Sequence, residues 1–231
     1  GTGAGVGVGI GASMAEALRT KRQVMIFSKA VLEASWIKEI KKCGSDYYRS
    51  ANHWVFKAGD NEGIRALMQE LQIPIRVLER NHGVFLIDFT RTDSNFNELS
   101  NLERERLDYQ IAEMIDARFE FIHSDNTSLW KKFKAESVNG KVLIWDEVHN
   151  LGNRMASKSQ IGENYYNMFM NAKDVKIIFL SATPIINRIF EITKIFNILK
   201  GYMPMLEISF RSAFDTGGVD YDKVKYNLKK N

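Results

Sequence analysis

Lys141-Val142-Leu143-Ile144-Trp145-Asp146-Glu147-Val148-His149 decides how the rest of the chain is read. A short run rich in apolar and β-branched side chains predicts a strand, and two adjacent acids follow as soon as it ends. Carboxylates displayed just past a buried strand are where nucleotide-hydrolysing folds hold magnesium and polarise water. A strand running into a polar turn is the plainer explanation of an isolated acidic pair, so a second signal matters. It comes from Val175 to Asn187, VKIIFLSATPIIN. There another apolar run ends in Ser181-Ala182-Thr183, and Pro184 stops it because proline cannot donate to a sheet ladder. Two such strands joined by a polar, partly helical segment predict a parallel α/β sheet. Ligands of these sheets bind beyond the carboxyl ends of the strands, and both polar signals fall at that edge.

IWDEVHN followed by FLSATPIIN resembles motifs II and III of superfamily 2 helicases and translocases. The continuation IINRIFEITKIFNIL is similar to the Swi/Snf-type branch. VMIFSKAVLEASWIKEIKKCG and FEFIHSDNTSLWKKF extend the resemblance to helicase-like ATPases of large nucleocytoplasmic DNA viruses, of the poxvirus early transcription factor and nucleoside triphosphate phosphohydrolase type. It covers most of residues 14–202, with a poorly matched stretch between about 57 and 116.

The resemblance implies an α/β fold: a RecA-like three-layer sandwich with a mostly parallel central sheet and an inserted hairpin and helix. Residues 1–204 would be the first, ATP-binding lobe and 205–231 a linker and tail, the second lobe not being represented. ATP and Mg2+ are the implied cofactors, with Asp146 taking the metal and Glu147 orienting water as general base. His149 would link the hydrolysis site to Ser181 and Thr183, so that a change at the acidic loop passes to residues touching nucleic acid. Matching motifs Ia and Ib place Ser28, Lys29, Ser124, Asn126 and Thr127 against a phosphate backbone. The implied partners are DNA, or alternatively RNA, together with RNA polymerase or other transcription or virion proteins. The implied location is the cytoplasmic viral factory, with packaging into the virion.

The opening GTGAGVGVGIGASMAEAL departs from this pattern. Aligned on the helix that contains Ala15 to Leu18, Gly5-Val6-Gly7 stands where a phosphate loop has Gly-Lys-Ser/Thr. Backbone amides of Gly3, Ala4 and Gly5 can cradle an anion at a helix start. Val6 brings no ammonium for the phosphates, and Gly7 no hydroxyl for magnesium. Three readings stay open: a silent descendant of an ATPase, a loop altered by design, or a terminus that departs from the natural sequence. A catalytically silent lobe that binds nucleic acid or polymerase is therefore the alternative to an ATP-driven one. A third class, a metabolic phosphate-binding enzyme, predicts a small-molecule pocket and indifference to DNA.

Composition sets the outer bounds. With 231 residues and 45% hydrophobic content, the chain can bury one large core. A net charge of +4 is mildly basic; Lys38, Lys41, Lys42 and Lys131, Lys132, Lys134 are either solvated helix faces or phosphate contacts. One cysteine, Cys43, excludes an internal disulfide. No run approaches the ~20 apolar residues of a membrane span, and no secretory signal is expected. A lone His149 without a second histidine at helical spacing argues against zinc.

Along the remaining sequence, Gln23–Phe27 and Glu120–His123 read as strands, and Ser124 to Thr127 as a polar run or helix cap. Trp36 reads as core. Tyr47, Tyr48, His53 and Trp54 form an aromatic cluster expected in a packed hairpin. Ile75–Leu78 and Val84–Phe89 bracket Asn81-His82-Gly83 and read as a glycine-turned hairpin. Residues 97–121 carry a helical pattern, with Leu99, Leu102, Leu107, Ile111, Met114 and Ile115 inside and Glu103, Arg104, Glu105, Arg106 and Asp108 on the wet face. Asn153–Gly162 reads as a mobile polar loop, and Tyr165–Met170 as a core helix face.

Overall fold

In the computed structural model, residues 21–124, 126, 128, 133–157, 159–183 and 190–201 are described. Strands β1 (Val24–Ser28), β4 (Phe119–His123), β5 (Val142–Trp145) and β6 (Lys176–Phe179) form one sheet in the order β4-β1-β5-β6, each pair parallel. Two strands, VMIFS and VLIW, are buried along their whole length, as expected where helices cover both faces. Strand β6 lies at the edge and is only partly buried.

The pleat of the two central strands divides the interior into two cores. Val24, Ile26, Val142 and Ile144 face one; Met25, Phe27, Leu143 and Trp145 face the other. Phe27 and Trp145 are register partners, and their rings stack at 4.7 Å and 10°. The first core is closed by α1 (Glu33–Cys43), through Trp36 and Ile40, and by α4 (Asn101–Arg118), through Leu107, Ile111, Met114 and Ile115. A reciprocal capping box starts α4: Ser100 Oγ accepts from the Glu103 amide, and the Glu103 carboxylate accepts from the Ser100 amide at 2.8 Å. The second core is closed by α5 (Ala135–Val138), α6 (Val148–Ala156), α7 (Gln160–Asn171) and α8 (Phe190–Lys200). Helices α6 and α7 approach so closely at Gly162 that a Cβ there would stand 2.2 Å from the Arg154 carbonyl oxygen. The result is the α/β sandwich of RecA-like type that the motifs implied.

Between β1 and β4 the chain makes a second, antiparallel pair, β2 (Trp54–Ala58) with β3 (Gly83–Ile87), separated by α2 (Glu62–Leu71) and α3 (Ile75–Asn81). A carboxamide stands in for a missing third strand on each side. Gln110 donates to Phe85 O and accepts from Phe85 N, both at 2.8 Å. Asn95 does the same at Trp54, at 2.8 and 2.9 Å. Both outward peptide groups are thereby satisfied.

Several expectations are corrected. Ile75–Leu78 is helix rather than strand: Pro74 sits at the α3 N-cap, and Val77 and Leu78 are its buried face. His82 closes that helix in the left-handed region (φ 55°), so β3 pairs with β2 and not with residues 75–78. The aromatic cluster is likewise split, Tyr48 lying in a 3-10 turn and Trp54 opening β2. Asn153–Gly162 is mostly helix, since α6 runs to Ala156 and α7 begins at Gln160. Leu102 is exposed because α4 turns its apolar face inward only from Leu107. Trp36 and the Tyr165, Met168, Phe169 face are core as read.

Candidate functional site

Backbone pairing sets the rim before any side chain acts. The Asp146 amide donates to Phe27 O at 2.9 Å, carrying the β1–β5 ladder one residue past the strand. The Leu180 amide donates to Trp145 O, and the Val148 amide to Leu180 O, both at 2.9 Å. Between these tethers the chain must reverse from strand into α6 at a single residue, Glu147, which adopts φ 53°, ψ 55°. A non-glycine residue in this left-handed region costs about 1–2 kcal/mol. Such conformations persist where the surroundings over-determine them, and they cluster at functional sites.

The side chains then converge. His149 Nδ1 lies 3.0 Å from Ser181 Oγ and 3.2 Å from Glu147 Oε2, and the Thr183 amide donates to Ser181 Oγ at 3.2 Å. A carboxylate only accepts, so its presence beside Nδ1 favours the tautomer with the proton there, shared with the serine oxygen. The His149 side chain is 16% exposed and Glu147 33%. A path of polar contacts, hydrogen-bonded from His149 through Ser181 to Thr183, therefore joins the ends of β5 and β6. Asp146 is half-buried, and its pKa is pushed up by burial first and by the Glu147 charge second. The Trp36 indole N–H, the Glu147 amide and His149 pull the other way.

The remaining sequence-predicted residues divide. Ser28 ends β1 at the same rim but is buried, its hydroxyl turned to Lys29 O at 3.4 Å; as placed, the side chain is closed off from a nucleic-acid backbone. Lys29 is exposed. The Ser124 amide donates to Ser28 O at 2.8 Å, and exposed Asn126 accepts from the Ser128 amide and hydroxyl at 3.1 and 2.7 Å, the geometry of a local cap. Gly3, Ala4, Gly5, Val6, Gly7, Thr127, Lys131, Lys132, Pro184 and the tail from 205 lie outside the described residues. One pair at this rim escaped the sequence reading. His123 Nε2, at the end of β4, lies 2.7 Å from Glu33 Oε2 at the start of α1. Ninety positions separate these residues, and no local pattern announces their meeting.

The chain is 34% identical over 107 residues to proteins named termination factor NPH-I homolog from African swine fever virus, including tick isolates from South Africa and Malawi and a warthog isolate from Namibia. This is a distant link to the helicase-like group. The matched residues are 43% of this chain and 15% of each relative, so the chain spans a small part of the length of those termination factors. No family model and no solved structure matches the chain.

A cofactor of this group can be tested against the residues present. Among the described residues, no cluster of three or more His, Cys, Asp or Glu side chains is arranged to hold a metal. Magnesium bound beside phosphates needs only one or two carboxylates, the other ligands being phosphate oxygens and water. A half-buried Asp146 whose ionisation is opposed by Glu147 fits that requirement, because a dication relieves both penalties.

Proposed function

We propose that the chain is the first RecA-like lobe of an ATP-dependent, DNA-directed translocase or helicase serving viral transcription, acting in the cytoplasm. The observation that carries this reading is the polar path at the carboxyl rim of a parallel sheet, in which His149 hydrogen-bonds Ser181 and stands 3.2 Å from the Glu147 carboxylate. Asp146 holds the cation. When bound, Mg2+ supplies electrostatic neutralisation of the phosphate oxygens. Glu147 lies next along the chain from that ligand, in a conformation its backbone tethers enforce, and takes a proton from water as general base. His149 keeps that carboxylate oriented and ties it to Ser181, whose turn leads through Thr183 toward α8. Exposed Lys29 at the end of β1 offers a basic contact for a phosphate backbone at this rim.

The test is ATP hydrolysis by the chain supplied with a second lobe, with and without DNA. Turnover stimulated by DNA and abolished in Glu147→Gln is expected. No turnover with intact DNA binding would overturn the enzyme reading in favour of the second one, a silent lobe serving as a nucleic-acid- or polymerase-binding subunit. Val6 and Gly7, standing where a lysine and a hydroxyl belong, are the observation that favours that alternative.

A further inference from the structure

Trp36 is 1% exposed, and its indole nitrogen is buried with no hydrogen-bond partner among the described residues. Buried donors are nearly always paired, so an orphan needs a reason. Trp145 carries a similar orphan in the opposite core, but there Phe27, Tyr165 and Phe169 surround its ring. Trp36 differs in what stands above it. Its indole shares the first core with Val142 and Ile144 of β5. Side chains alternate along a strand, so the next residue on that face is Asp146. The Asp146 amide still pairs with Phe27 O, which keeps the residue in strand register. Carboxyl and indole therefore lie on the same side of the sheet. The indole N–H favours the ionised carboxyl, as a donor aimed at it would, although the pair does not close to full hydrogen-bond geometry.

We propose that Trp36 is a positioning residue for Asp146: its indole N–H, fixed by packing beneath the rim, steers the carboxylate so that an oxygen is presented to the divalent cation. This inference deepens the ATPase reading and rests on it for the cation. Helix α1 supplies the rigidity, since Trp36 and Ile40, one turn apart, are both locked in the core. Partners of this kind are the usual means by which proteins orient metal-binding side chains.

Two measurements test it. The first needs neither metal nor nucleotide: the indole N–H resonance of Trp36, identified by its loss in Trp36→Phe, is followed in wild type and in Asp146→Ala. A shift of that resonance, with faster exchange of its proton with solvent, is expected; an unmoved resonance overturns the proposal. The second uses Mn2+ with ATP, read by paramagnetic broadening of rim resonances. Trp36→Phe keeps the ring but removes the donor, and is expected to weaken Mn2+ binding by roughly tenfold or more. Equal affinity in the two proteins overturns the positioning role. Should Trp36→Phe fail to fold, the Asp146→Ala comparison still decides, with the resonance assigned by its neighbours. Wild type that binds no Mn2+ while the resonance moves in Asp146→Ala upholds the contact and sinks the ATPase reading instead.

Discussion

Breaking the contact between His149 and Ser181 should reveal how firmly the acidic loop is tied to the neighbouring strand. Ser181→Ala removes one hydrogen bond to a largely buried imidazole, at 3.0 Å, and one accepted from the Thr183 amide, at 3.2 Å. Thr183 is exposed, so water can replace the second. The loss is then close to that of one ordinary bond, about 1 kcal/mol. His149→Ala removes the same bond and also the 3.2 Å pair with Glu147. A third of the Glu147 side chain is exposed, so solvent screening discounts the pair and the total is about 1–2 kcal/mol. The shared bond is counted in both single variants. The double variant should therefore be less destabilised than their sum by about 1 kcal/mol. Urea unfolding of the four proteins, with unchanged slope, measures this. A coupling below about 0.3 kcal/mol would refute the claim that the two residues act as one link.

Three further outcomes are expected. Asp146 has a raised folded pKa, so its ionisation costs stability: the cost is absent below the unfolded carboxylate pKa, grows as pH rises from the unfolded toward the folded pKa, and is complete above the folded pKa. Asp146→Asn should therefore melt higher than wild type at pH 7 but not at strongly acid pH, and added Mg2+ should raise the melting temperature of wild type alone; an equal gain at all pH values would contradict this. Gln110→Met should cost about 2–5 kcal/mol in guanidinium unfolding, because both buried polar groups of Phe85 lose their partner. Gly162→Ala should lower Tm by at least about 3 °C, since the added methyl meets the Arg154 backbone rather than a side chain that can move aside.

Much of the sheet was legible because its signals are local. Apolar runs ending in Asp146-Glu147 and Ser181 announce β5 and β6, and the parallel pairing follows from the polar segment between them. Helix α4 was legible from its period, and Trp36 was legible as core. Residues 75–78 were not, because a short apolar run fits either period. Pro74 was the overlooked clue: it accepts a position just before a helix at no cost in backbone donors. At the site, the sequence indicated which residue types stand at the rim but not their contacts. The His123–Glu33 pair, the left-handed Glu147 and the buried Ser28 arise from strand register and helix entry, which no single motif encodes.

The carboxamides of Asn95 and Gln110 have a consequence for how this insertion behaves in a crowded solution. A bare two-stranded ribbon invites another chain to extend it, and growth of that kind leads to fibrils. Here the outward-facing peptides of Trp54 and Phe85 are already saturated from within, so an intruding strand would have to evict a side chain at each of those two points before it could register.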